Sequence, residues 1–240
     1  MPRVLFTGRD ALGPAPGGPI EPVPAGVSGG PYARLNLGDG VGDARAAVAA
    51  NRATVAAALG VPVAWMRQVH GARVVEVTSV PLDPVEDVDA LVTKQPGIGL
   101  GVLVADCVPV VLSASSGVGV AHAGRRGLQA GVLPAVIDAL ARLGTAVGEL
   151  DVWLGPAICG RCYEVPDDMQ AQVEQAAPGS ATTTARGTAG LDLRAGLVRQ
   201  AREAGVRSVH CEATCTAESP HHFSYRRDGT TGRMAGLVRL

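Results

Sequence analysis

The chain has 240 residues, 47% of them apolar but only 3% aromatic, and a net charge of −1, which suits one well-buried domain over residues 1–240 and excludes a disordered chain. The cations are almost all arginine, Lys94 being the only lysine, and are spread along the chain, so no basic face recommends a nucleic-acid partner. No run of about 18 apolar residues exists to span a bilayer, the N-terminal stretch has no signal-peptide pattern, and five cysteines in a chain of ordinary size point to a reducing, cytoplasmic setting without a disulfide scaffold.

In chain order, a strand is expected near residues 4–7, followed over 8–31 by the loop GRDALGPAPGGPIEPVPAGVSGGP, whose glycines and prolines supply neither helical nor strand periodicity. A first helix spans 43–60, with Asp43 as its N-cap, alanine in its interior and Gly60 as its stop. Valine-rich runs at 63–69, 73–78, 98–104, 109–113 and 118–122 read as strands, several with both faces buried. A helix over 127–143 stops at Gly144, a strand covers 150–154, and a helix opens at Pro166, whose ring suits a first turn. A helix over 193–204 ends before Gly205, and strands at 206–211 and 234–239 complete the chain. This alternation predicts an α/β fold.

Three corners of that framework carry metal-binding side chains. GVGVAHAGRRG places His122 at the end of an apolar strand, WMRQVHGARV ends another at His70, and GVLVADCVPVVL interrupts a long apolar run with Asp106 and Cys107. Two imidazoles and a thiolate are good zinc ligands, and three protein ligands with one open position make a catalytic zinc site. The spacings match no local metal motif, and each residue has a plainer use: a histidine can cap a turn, and a cysteine can serve as a small buried hydrophobe.

The segments LNLGDGVGD, RQVHG, DALVT, ADCVPV, HAGRRG, LGPAICGRCYEV, LDLR and FSYRRDGTTGRMAGLV occur in this order. Together they closely resemble a family long labelled laccase-like or multicopper polyphenol oxidases, now described as purine nucleoside phosphorylases, which includes the peptidoglycan editing factor. The resemblance runs from about residue 26 to 240. It implies two mixed β-sheets packed face to face with helices outside, an α/β/β/α layering. It also implies a zinc site made by His70, Cys107 and His122, and phosphorolysis of adenosine, inosine or guanosine, with adenosine deamination and methylthioadenosine phosphorolysis as related activities. The partners would then be a purine nucleoside and phosphate, and the expected state is a monomer.

For that chemistry Arg52 and Arg126 are candidate phosphate clamps, because guanidinium bonds phosphate oxygens in pairs, although Arg126 could instead pair with Asp106. Asn36 and Gln68 could hydrogen-bond the substrate or equally tie down turns. The arginine-rich FSYRRDGTTGR suits an anion-facing loop, or Arg226 and Arg227 could simply flank a hairpin. Arg125 stands where the family usually has tryptophan, which puts the substrate preference at that corner in question. The stretch near 10–25 reads as an inserted surface loop.

The laccase label fails on ligand bookkeeping, since a blue copper with a trinuclear cluster needs about ten histidines and the chain has five. His221 and His222 are adjacent and on a strand would face opposite ways. One copper at the His/Cys/His site could still oxidise phenols weakly, as a secondary activity. The pairs Cys159/Cys162 and Cys211/Cys215 could make a four-cysteine zinc site, but the wider spacing of the second pair disfavours it and the resemblance does not require it. The same three ligands would also serve hydrolysis of an amino-acid amide on a peptidoglycan precursor, or a binding protein with a structural metal.

Overall fold

A computed structural model of the protein describes residues 1–10, 12–14 and 25–240. The chain opens with the antiparallel strands β1 (Arg3–Thr7) and β2 (Leu12–Pro14), then helix α1 (Arg45–Leu59). Short strands β3 (Val63–Ala64) and β4 (Val74–Glu76) precede β5 (Ala90–Thr93), β6 (Gly99–Val104), β7 (Val108–Ala114) and β8 (Gly117–Ala123). Next come helices α2 (Arg125–Gln129) and α3 (Val132–Arg142), strand β9 (Asp151–Leu154), helix α4 (Asp167–Ala176) and the hairpin β10 (Ala181–Thr183) and β11 (Ala189–Leu191). Helix α5 (Leu193–Ala204), strand β12 (Ser208–Cys211), the single turn α6 (Tyr225–Asp228) and β13 (Met234–Arg239) end the chain.

Two mixed sheets result, one ordered β2-β1-β13-β6-β3 and the other β12-β9-β7-β8-β5-β4. Their layering reflects the period of two along each strand. On β7, Val111 joins Phe6, Leu100, Val102 and Val120 in the layer between the sheets, whereas Val110 and Leu112 face the opposite way, into the helices. There they meet Leu133, Val136, Ile137 and Leu140 of α3 and Leu197 and Ala201 of α5. On the far side Val55 and Leu59 of α1 cover Leu5 and Leu237 of the other sheet, with Trp65 just beyond β3. This is the α/β/β/α layering implied by the family resemblance. No helix among the described residues is long and apolar enough to cross a membrane.

The structure revises several local expectations. The helix expected over 127–143 is two helices, because Gly131 at φ +75° breaks the ladder between α2 and α3. Asp43 does not cap α1, whose N-cap position is Ala44. Its carboxylate instead accepts hydrogen bonds from Ser28 Oγ at 2.6 Å and Asn36 Nδ2 at 2.8 Å. Gly60, left-handed at φ +84°, does end that helix, and Asp192 caps α5 by accepting from Ala195 N.

The loop expected over 8–31 contains β2, paired with β1; residues 11 and 15–24 of it lie outside the described residues. The strand expected over 63–69 stops at Ala64, because Trp65 and Arg67 pair their backbones with Val85 instead. Strands β5, β10 and β11 and the turn α6 were not foreseen.

Candidate functional site

Of the connections that carry the chain between the two sheets, two bear a predicted ligand. Residues 105–107 join β6 to β7, and residues 65–73 join β3 to β4. Where these crossings meet the end of β8, the donor atoms of His70, Cys107 and His122 lie within 4.8 Å of one another. The imidazoles meet edge to face with centroids 4.6 Å apart. His70 and Asp106 hold left-handed backbone conformations, at φ +62° and +85°, which residues with a Cβ adopt only when their surroundings enforce it. Gly124, just past His122, completes the fit: a Cβ there would stand 3.0 Å from both Cys107 Sγ and His70 Cδ2.

The enforcing group at His70 is Asp89, a fully buried carboxylate at the entry to β5. It accepts backbone N–H bonds from Val69 at 3.1 Å, His70 at 2.8 Å and Gly71 at 2.7 Å, and holds His122 Nδ1 at 2.9 Å. One side chain thus shapes the turn carrying one ligand and orients the ring of another. With Nδ1–H directed at Asp89, His122 presents Nε2 as its electron-pair donor, the arrangement that makes a histidine a defined metal ligand.

The charges agree with that role. Burial opposes ionisation of Cys107, but His122 and His70 outweigh it and draw the thiol down to about 6. Burial likewise disfavours a protonated His122, yet the adjoining Cys107 and Asp89 raise it to about 9. Without a metal the site therefore holds a thiolate–imidazolium pair.

A cavity of about 720 Å³ opens on these three residues, with Asp39, Tyr163, Tyr225, Arg226 and Arg233 also in its walls. Gln68 lines it too, but both ends of its amide are bonded to the backbone of Leu103, at 2.8 and 2.9 Å. Asn36 is fully buried and ties down a turn, accepting from Gly38 N and Arg233 N and donating to Gly38 O and Asp43.

Arg52 donates Nε–H to Leu37 O at 2.9 Å, lies over the Trp65 ring and stands 3.4 Å from Asp39 of the cavity wall, behind that carboxylate and not itself among the lining residues. Arg126 is exposed on α2 and is not among the cavity-lining residues. Nor does it pair with Asp106, whose oxygens accept from Thr216 Oγ1 and Arg226 N, both at 2.6 Å. Arg125 bonds Gln129 and acts electrostatically on Tyr163 of the cavity wall. His221 and His222 lie elsewhere, the first 3.6 Å from Asp10 and the second against Ser219.

Sequence reasoning missed Asp89 and reached Arg233 only as the last residue of the arginine-rich segment FSYRRDGTTGR. The signal for Asp89 was a carboxylate opening the wholly apolar stretch ALV, a burial that needs several donors to be tolerated. A second donor cluster also forms, from Cys159, Cys162, Cys215 and Glu218, again within 4.8 Å. It differs from the four-cysteine set that the sequence spacing suggests: Cys211 is exposed at the end of β12 and stays out, and Glu218 takes the fourth place.

Residues 24–240 match the family described as multi-copper polyphenol oxidoreductase laccase. The chain is 50% identical over 218 residues to a purine nucleoside phosphorylase of Mycobacterium tuberculosis, spanning 89% of this chain and 87% of that protein. A Streptomyces coelicolor protein of the same description is 50% identical over 221 residues, spanning 90% and 91%. Among solved structures, YlmD from Geobacillus stearothermophilus is similar with a TM-score of 0.84 at 33% identity over 96% of each chain. A Neisseria meningitidis protein is similar at 0.82 and 34% over 98% of each. On a match that runs to the last residue and relatives half identical over nearly the whole length, the chain belongs to the multi-copper polyphenol oxidoreductase laccase family.

Proposed function

We propose that this protein is a zinc-dependent purine nucleoside phosphorylase acting on adenosine, inosine or guanosine. The observation that carries the reading is the His70, Cys107 and His122 cluster, oriented by Asp89, on the wall of a cavity that also presents arginines and tyrosines. Half-identical relatives described as purine nucleoside phosphorylases support it. The donor set suits zinc: two imidazoles and a thiolate leave a fourth tetrahedral position for substrate, and five histidines are too few for a multicopper centre. When bound, zinc supplies a Lewis acid that orients and polarises an oxygen of the substrate.

The chain's own groups account for the rest. In phosphorolysis a phosphate oxygen attacks the anomeric carbon, the glycosidic C–N bond breaks, and the purine leaves with its bonding electrons and takes up a proton. Arg226 and Arg233 line the cavity and can neutralise phosphate there, whereas Arg126 and Arg52 are not among its lining residues. Tyr163 is held half-buried beneath the Arg226 guanidinium, 5.1 Å from its ring centroid, and offers an aromatic face to a purine. Deamination is less well served. Of the cavity's two carboxylates, Asp106 has both oxygens engaged, and Asp39 is paired with Arg52.

The test is product analysis of the zinc-loaded protein with inosine and varied phosphate. Hypoxanthine and ribose 1-phosphate should form at a rate that rises with phosphate and saturates. If no nucleoside is split at any phosphate concentration, while an amino acid is released from a nucleotide-linked muramyl precursor, the editing hydrolase is the correct reading.

A further inference from the structure

We propose that Cys159, Cys162, Cys215 and Glu218 form a second metal site, a structural zinc(II) centre that fastens residues 158–163 of the cavity wall to the segment 215–227. This goes beyond the phosphorylase reading and does not depend on it. The site is built from two turns of one design. Cys162 N donates to Cys159 O at 3.0 Å, and Glu218 N donates to Cys215 O at 3.3 Å, so each turn presents two donors three residues apart. The turns face each other because Ala157 pairs with Cys215 in a parallel bridge, with Thr216 N donating to Ala157 O at 3.1 Å.

Contacts inside the cluster draw its donor atoms together. The backbone N–H of Cys159 donates to Cys215 Sγ at 3.3 Å, which fixes the direction in which that sulfur faces the first turn. Cys162 Sγ sits 3.5 Å from Glu218 Oε1, which brings two acidic groups into contact. A divalent cation bound between them would take both as ligands. Three sulfurs and a carboxylate form a closed four-donor set of the kind that structural zinc takes, and thiolates select zinc over magnesium or calcium. The His70, Cys107 and His122 set has only three donors.

Both arms of the cluster also grip the residue preceding Cys107. Ile158 N donates to Asp106 O at 3.0 Å, and Thr216 Oγ1 and Arg226 N donate to its carboxylate. Arg227 stitches the intervening loop by donating to the carbonyls of Thr216, Ser219 and His222, each at 2.8 Å. A metal between the arms would thus hold Asp106, and through it Cys107, in register with the wall bearing Tyr163 and Arg226.

Metal analysis of the full chain, purified under reducing conditions and loaded with zinc, should find about two zinc ions per chain. Cys162→Ser and Glu218→Gln should each hold about one, and His122→Ala should lose the other and keep this one. Cobalt-loaded His122→Ala should retain a tetrahedral spectrum with thiolate charge-transfer bands. If Cys162→Ser fails to fold, wild type alone decides: zinc should shield Cys159, Cys162 and Cys215 from a thiol reagent, and chelation should expose them. A wild type that never exceeds one zinc, all of it lost in His122→Ala, overturns the proposal. So does a Cys159–Cys162 disulfide in the zinc-loaded protein, or free reactivity of those thiols with zinc present.

Discussion

Replacing Asp89 by asparagine keeps the shape of a fully buried side chain but removes one of its two acceptor oxygens, and the amide can then settle in either of two ways. If the remaining oxygen stays where it serves His70 N and His122 Nδ1, the new amide NH2 faces the N–H groups of Val69 and Gly71, and two buried donors lose their acceptor. If the amide turns over, Val69 and Gly71 are satisfied, but His70 N loses its partner and His122 must turn its lone pair inward, leaving Nε2 protonated and unable to bind a metal.

Each unsatisfied buried donor costs about 1–3 kcal/mol, so the first arrangement destabilises by about 2–6 kcal/mol. For a chain of this size that lowers the melting temperature by about 4–24 °C. Loss of the carboxylate behind a ligating histidine weakens metal binding by about 10–100-fold. Thermal melts and zinc competition with a chromophoric chelator read both effects. Asp89→Asn with the melting temperature and zinc affinity of wild type would refute the assignment of Asp89 as the group that shapes the site.

Other substitutions probe the neighbours of the site. Gly124→Ala, at a backbone conformation alanine tolerates, should drive its Cβ against Cys107 and His70 and cost about 1–3 kcal/mol, lowering zinc affinity more than melting temperature; unchanged affinity would mean that the ligands pack loosely there. Arg233→Ala should weaken the dependence of rate on phosphate by about 1.5–3 kcal/mol, while Arg126→Ala should leave it alone, and steady-state kinetics with varied phosphate would show the reverse order if Arg126 is the clamp. Arg125→Trp should alter the ranking among nucleosides through Tyr163 without altering zinc content, and identical rankings would place the side chain in solvent. Gly131→Ala should cost about 1–2 kcal/mol, measured by denaturant unfolding, because the break between α2 and α3 requires a positive φ.

What could be read from the sequence divides along a physical line. That His70, Cys107 and His122 come together was legible from the family resemblance and not from their spacing, which matches no local metal motif. The ends of α1 and α5 were legible because Gly60 and Gly205 stop helices by a local rule. The placement of the arginines required knowing where a side chain points. Arg126 stands two residues beyond Gly124, yet the first turn of α2 carries it out to solvent, whereas Arg233, more than a hundred residues away, reaches the cavity from the strand pairing that brings β13 beside β6.

Nor could the crossings be seen. The apolar runs of β6 and β7 are separated by three residues, the spacing of a hairpin, but they belong to different sheets. That change of sheet at Ala105–Asp106–Cys107 brings a thiol out of a buried strand and up to two imidazoles. Asp89 escaped notice for the same reason: its four donors come from two distant segments, so its role exists only once β5 has been laid beside β8. Glu218, and not Cys211, joins Cys159, Cys162 and Cys215 because a cluster is set by which atoms two facing turns bring together, and Cys211 lies on a strand that has already left them.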